Sequence, residues 1–197
     1  QPPPGNRIAK WNGAFWSDLG AGIDDNNIVY ATTVGTNGDL YVGGTFTEAG
    51  GQWAGYVAKW NGANWSALVA GVGGMVYALA FDASGYLYAG GRFTEAGPAS
   101  AGRIAKWNGK TWSALGAGLN NAARALAVDL NGNLYAGGEF TVAGEQPANY
   151  IARWDGTNWN ALGAGLNNHV LALATDSGVA DGILYAGGTF TIAGGNP

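Results

Sequence analysis

The sequence predicts an all-β architecture, and three observations carry that expectation. A unit recurs four times along the 197 residues, four short apolar runs lie within each unit, and Gly- and Asn-rich turns separate them. The recurrence is plainest where Arg7-Ile8-Ala9-Lys10-Trp11-Asn12-Gly13 returns as Tyr56-Val57-Ala58-Lys59-Trp60-Asn61-Gly62. It appears again as Arg103-Ile104-Ala105-Lys106-Trp107-Asn108-Gly109 and Tyr150-Ile151-Ala152-Arg153-Trp154-Asp155-Gly156, at spacings of 49, 47 and 47 residues. The repeats run 7–55, 56–102, 103–149 and 150–197 and form one domain. Residues 1–6, with Pro2-Pro3-Pro4, read as a short extended leader or linker.

Each run is a strand for its own reason, as the third copy shows. Ala125-Leu126-Ala127-Val128 is apolar and too short for a helix. Asn131-Gly132, a favoured hairpin dipeptide, turns it into Asn133-Leu134-Tyr135-Ala136-Gly137-Gly138. Ile104-Ala105-Lys106-Trp107 is turned by Asn108-Gly109 into Thr111-Trp112-Ser113-Ala114-Leu115. A unit of about 45 residues holding four antiparallel strands is one blade of a β-propeller, a sheet that hides both faces against neighbouring blades.

With the Leu126 run innermost and the Trp112 run outermost, the chain opens on a third strand and finishes after a second. Two-plus-two closure of 8–11 and 16–19 onto 170–175 and 183–188 predicts a ring of four four-stranded blades, which removes the open edges. Half of an eight-bladed ring, or a fragment of a longer propeller, are the alternatives.

The blade resembles the kelch-type repeat of the kelch and galactose-oxidase-like propellers. The resemblance rests on Leu134-Tyr135-Ala136-Gly137-Gly138 followed by Ile151-Ala152-Arg153-Trp154 and Trp159. Gly43-Gly44 with Trp60 and Trp65, and Gly90-Gly91 with Trp107 and Trp112, repeat the pattern. The chain departs from the family in carrying Trp where kelch blades usually have Tyr, and in the extension Phe93-Thr94-Glu95-Ala96-Gly97 after the Gly pair. Through the fold alone the resemblance suggests copper chemistry, but that family's metal site uses histidines and a Cys-modified Tyr. This chain has one His and no Cys. No cofactor or metal is therefore expected, and an enzyme fragment of the galactose-oxidase kind ranks last among the readings.

A residue repeated in all four copies serves the blade, since a unique site has no need of four versions. The columns Trp11, Trp60, Trp107, Trp154 and Trp16, Trp65, Trp112, Trp159 are read as interblade packing rather than sugar platforms. The Gly pairs are read as bulges or close backbone approaches. Lys10, Lys59, Lys106 and Arg153 are placed at the rim with their stems on a Trp. Asp82, Asp129 and Asp176 precede the first hairpin and are read as caps of their own turns, not as the start of a calcium loop. Asn64-Trp65-Ser66 matches a glycosylation acceptor, but on a predicted strand.

Residues that break the pattern are the binding candidates. Asp24 and Asp25 sit in a two-residue insertion where other copies have Asn120-Asn121 or Asn167-Asn168. His169 is the sole histidine, Trp53 the sole Trp outside the columns, and Arg124 stands where other copies have Tyr30, Tyr77 and Leu171. Propeller connectivity places Asp24, Asp25, Trp53, Asn120, Asn121, Asn167, Asn168 and His169 on one face, the expected ligand-binding face.

Composition narrows the function classes. Only 11% of residues are charged, against about a quarter in an average soluble protein, and the net charge is −4. That field does not suit nucleic acid, and no apolar run is long enough for a membrane span. Without Cys there is no thiol nucleophile, and no constellation of acid, base and nucleophile stands out. The expectation is a non-catalytic, extracellular or cell-surface binding and recognition module for a glycan or protein partner, of a repeat style that suits bacteria. A structural subunit of an extracellular assembly, self-associating or homodimeric because few charged gatekeepers guard its sheets, is the alternative.

Overall fold

The computed structural model describes residues 7–24, 27–176 and 183–195. Among these residues every regular element is a strand. In chain order these are β1 (Ala9–Trp11), β2 (Trp16–Asp18), β3 (Val29–Val34), β4 (Leu40–Gly44), β5 (Glu48–Ala49), β6 (Gln52–Trp53), β7 (Val57–Trp60) and β8 (Trp65–Ala67). Then come β9 (Met75–Phe81), β10 (Leu87–Arg92), β11 (Glu95–Ala96), β12 (Ala99–Ser100), β13 (Ile104–Trp107) and β14 (Trp112–Ala114). The third set is β15 (Ala123–Val128), β16 (Leu134–Gly138), β17 (Val142–Ala143), β18 (Gln146–Pro147), β19 (Ile151–Trp154) and β20 (Trp159–Ala161), and the chain finishes with β21 (Val170–Thr175) and β22 (Leu184–Gly188).

Three complete antiparallel blades form, in the orders β3-β4-β7-β8, β9-β10-β13-β14 and β15-β16-β19-β20. Each takes its inner pair from one sequence repeat and its outer pair from the next. The inner strands β3, β9, β15 and β21 lie side by side, which sets the blades around one axis. Among the described residues the expected closure within the chain is not made: β1-β2 and β21-β22 are separate two-stranded sheets. Local turn chemistry is enough to form a hairpin, whereas the missing pairing joins segments at opposite ends of the sequence. The expected leader over 1–6 lies outside the described residues.

The core lies between blades, because strand alternation sends neighbouring side chains into different interfaces. Val42 and Phe46 pack toward Leu19 and Ile23, while Tyr41 and Val57 pack toward Leu87 and Trp107 of the next blade. Tyr88 and Ile104 then meet Leu134 and Phe140. Phe46, Phe93 and Phe140 are completely buried, each worth about 1.5–3 kcal/mol of transfer free energy.

The outer Trp column does more than fill space. Trp65 Nε1 donates to the Leu19 carbonyl at 2.7 Å, Trp112 Nε1 to Leu68 at 3.1 Å and Trp159 Nε1 to Leu115 at 2.9 Å. Each indole thus fastens its blade to the loop from the preceding blade while its own polar atom is satisfied.

The Asp82 and Asp129 caps form as expected, and the turn that follows Asp176 lies outside the described residues. Asp82 Oδ1 accepts from the Ser84 and Tyr86 amides, and Asp129 Oδ1 from those of Asn131 and Asn133. Their second oxygens take the Tyr88 and Tyr135 hydroxyls. Burial first, then the Asp82 charge and hydrogen bond, push the Tyr88 phenol well above its ordinary range.

The basic column differs from expectation. Lys106 lies over the Tyr86 ring at 3.7 Å and Lys59 pairs with Asp39 at 3.1 Å, so these cations find tyrosine and carboxylate rather than Trp. The reason is cross-strand register, which sets Lys59 opposite Tyr41, Lys106 opposite Tyr88 and Arg153 opposite Tyr135.

Candidate functional site

The Gly pairs create the one irregularity that recurs at the axis. Across Gly43/Gly44 the register pairs Val29 and Ala31 but skips Tyr30. Across Gly90/Gly91 it skips Tyr77, across Gly137/Gly138 it skips Arg124, and across Gly187/Gly188 it skips Leu171. Each inner strand therefore bulges at one residue, and a bulge re-aims its side chain.

Glycine is required here for two different contacts. A Cβ on Gly91 would meet the Met75 carbonyl oxygen at 2.0 Å, a clash that comes from the bulge itself. A Cβ on Gly137 would meet Val170 Cγ1 at 2.4 Å, a clash with the next inner strand.

The bulged residues build a continuous cluster at one end of the inner strands. Tyr30 and Tyr77 meet edge to face with centroids 5.2 Å apart, and the Arg124 guanidinium carbon lies 4.1 Å over the Tyr77 ring. Arg124 Nε donates to Glu139 Oε1 at 2.7 Å, with Nη2 on the same oxygen. Arg92 Nη2, from the neighbouring blade, donates to Glu139 Oε2 at 3.2 Å. Burial pushes the Glu139 carboxyl up, but the hydrogen bond and charge of Arg124, then the charges of Arg92 and His169, outweigh it and hold the group below its ordinary value. Glu139 is thus ionised, and it fixes two guanidiniums at the mouth of the ring.

Neither Arg92 nor Glu139 belongs to the repeat. They occupy the position between Gly pair and Phe where the other copies have Thr45 and Thr189. Sequence reasoning singled out Arg124 but missed these two. The signal was available, since charge appears in that column only in the two middle copies.

The expected binding residues are distributed around the same end, and several are occupied with structural work. Asn120 Oδ1 accepts from the Thr141 and Val142 amides at 2.9 and 3.0 Å, while its Nδ2 donates to Thr141 Oγ1. Asn167 repeats this clasp on Thr191 and Ile192. Asn121 and Asn168 accept from the amides that follow them, those of Ala122 and His169.

Asp24 stands in the clasp position of its own loop, its amide donating to the Glu48 carbonyl at 3.3 Å. Its Oδ2 accepts from Asn27 Nδ2 at 2.7 Å, while Oδ1 is buried without a partner among the described residues. Asp25 lies outside the described residues. Trp53 is 60% exposed on the β5–β6 hairpin, paired across from Glu48 and away from the axial cluster. His169 packs on Tyr150 with centroids 5.7 Å apart and contributes to the field at Glu139, which ties it to the cluster.

Among the described residues no group of three or more His, Cys, Asp or Glu could hold a metal. The opposite face carries interblade clefts of about 270 Å³ beside Lys59 and Trp107 and about 350 Å³ beside Lys10 and Trp60. Their equivalence in neighbouring blades marks them as products of stacking. Among the described residues no helix is long and apolar enough to cross a membrane.

Comparison with known proteins agrees with this architecture. The family model described as the Rax2 C-terminal beta propeller domain matches residues 12–172. A solved extracellular domain of a putative one-component system from B. thetaiotaomicron superposes with a TM-score of 0.62 at 15% identity. That likeness covers 96% of this chain but 24% of the other, so the chain spans about a quarter of that protein's length. At this identity the likeness shows the fold alone. No curated protein matches the sequence.

Proposed function

Because the chain belongs to the Rax2 C-terminal β-propeller domain family, we propose that it is a non-catalytic binding and recognition module whose partner, a glycan or a protein, docks at the mouth formed by the bulged residues. The carrying observation is the Arg92–Glu139–Arg124 cluster. It joins two blades through residues the repeat does not need, at the recurrent bulge of the inner strands. The solved neighbour is described as an extracellular domain, which supports an extracellular or cell-surface setting here. Kelch-like kinship goes no further than the Gly pair and aromatic strand.

The test is a panel of glycans and extracellular proteins probed with the native chain, Arg124→Ala and Lys110→Ala. The reading requires a ligand whose binding falls at least tenfold with Arg124→Ala and is unchanged by Lys110→Ala, which lies on the opposite face. Equal loss with both, or with neither, refutes it.

The second reading, a structural subunit of a larger assembly, has its own observation. Trp16 is 68% exposed where Trp65, Trp112 and Trp159 are buried, and Trp11 is 50% exposed where Trp107 is buried and Trp60 and Trp154 are partly buried. Concentration-dependent mass by light scattering tests it, and a monomer throughout the micromolar range contradicts it.

A further inference from the structure

The composition of the mouth specifies a ligand class more narrowly than a fold can. Two guanidiniums share one carboxylate, leaving a local charge of +1 in a chain whose net charge is −4. Glu139 is 11% exposed and satisfied on both oxygens, whereas the Arg92 side chain is 52% exposed and uses only Nη2 among the described residues. An arginine carries five donors in a planar fork matched to a carboxylate. Arg92 is therefore held through Nη2 by Glu139, with Nε and Nη1 left to a ligand.

Beside it, set opposite in the β9–β10 register, stands Met75, an apolar side chain 39% exposed. The arrangement pairs a preorganised cation with an exposed apolar neighbour. Sugar stacking is poorly served, because Arg124 covers one face of Tyr77 and Tyr30 meets the same ring edge to face.

We propose that this mouth binds an acidic peptide segment of a protein partner, with an Asp or Glu carboxylate on Arg92 and an adjacent apolar side chain against Met75. This rests on the recognition-module reading and names its ligand. Carboxylate and apolar contact act together. Charge steers the segment in and fixes its register, while apolar burial supplies affinity.

The experiment is a peptide array pairing Asp or Glu with Leu, Phe or Tyr, beside the same peptides with Asn or Gln, and oligosaccharides of glucuronate and galacturonate. The best peptide is then titrated by fluorescence anisotropy against the native chain, Arg92→Ala and Met75→Ser. The expected result is that the amide counterpart and Arg92→Ala each weaken binding at least tenfold, and Met75→Ser several-fold. The melting temperature of Arg92→Ala should stay close to native, and affinity should fall with added salt. Binding of uronate oligosaccharides without peptides overturns the peptide assignment in favour of an acidic glycan. Equal affinity for acid and amide peptides, or indifference to Arg92→Ala, overturns the carboxylate contact. A neutral ligand that depends on Arg124 sinks this inference while leaving the recognition module intact, whereas no ligand on any panel sinks both.

Discussion

The complete middle blade β9-β10-β13-β14 and the terminal hairpins β1-β2 and β21-β22 are built from nearly the same words. Ile104-Ala105-Lys106-Trp107 repeats Ile8-Ala9-Lys10-Trp11, and Leu87-Tyr88-Ala89-Gly90-Gly91 repeats Leu184-Tyr185-Ala186-Gly187-Gly188. Their environments diverge sharply. Trp112 is 5% exposed and Trp16 68%, while Tyr88 is 3% exposed and Tyr185 58%. Both regions make the same hairpin registers, Trp107 opposite Trp112 and Trp11 opposite Trp16. Secondary structure in this protein is thus a local property, and burial is conferred by the neighbouring sheet.

The largest expected break of this comparison is Trp112→Ala. It removes a buried indole and its bond to Leu68, at a cost of about 3–5 kcal/mol by denaturant unfolding. Trp16→Ala, on an exposed indole, should cost within about 0.5 kcal/mol. Equal losses would mean that β1-β2 is packed against something else.

Next comes Gly137→Ala, where the new methyl meets Val170 at 2.4 Å and overpacking costs about 1–3 kcal/mol. Its counterpart Gly187→Ala finds only Ala172 Cβ at 3.9 Å and should be near neutral in the same assay.

Val69 sharpens the comparison from the other direction. It adopts φ +56° where the parallel loops use Gly20, Gly116 and Gly163 at φ +57° to +59°. A β-branched residue in the left-handed region is strained, so Val69→Gly should stabilise by about 1 kcal/mol after the glycine entropy is deducted. No gain in the denaturation midpoint would contradict that strain.

The smallest effect is in acid. Glu139 binds its proton less readily folded than unfolded, so the unfolded state holds more protons as the pH falls through and below its ordinary value of 4.5. The stabilisation is present above that value and is lost as pH falls through the depressed folded value. Glu139→Gln should flatten this part of the stability profile, and an unchanged slope would show that the ion pairs contribute nothing.

The legible part of the fold was whatever repeats or is local. Asn-Gly turns, Asp82 and Asp129 as turn caps and the Gly pairs as bulges each follow from a few consecutive residues. Ring closure did not, because pairing β1 with β22 joins opposite ends of the sequence and no local pattern reports whether it forms. The Lys partners were misread because tyrosines enter only through strand register. The site was half legible: Arg124 broke a column visibly, but its link to Glu139 needs the bulge, and its link to Arg92 needs two blades side by side. The clasping role of Asn120 and Asn167 could not be told from ligand binding without their hydrogen bonds.

Arginine side-chain NMR of the isotope-labelled chain, titrated with the best acidic peptide, tests most directly whether pattern-breaking residues gather into one binding mouth. The Nε–H resonances of Arg92 and Arg124 should shift together and saturate, while that of Arg153, at the other end of its blade, stays fixed. Saturating shifts at Arg153 with Arg92 and Arg124 unmoved would contradict the account.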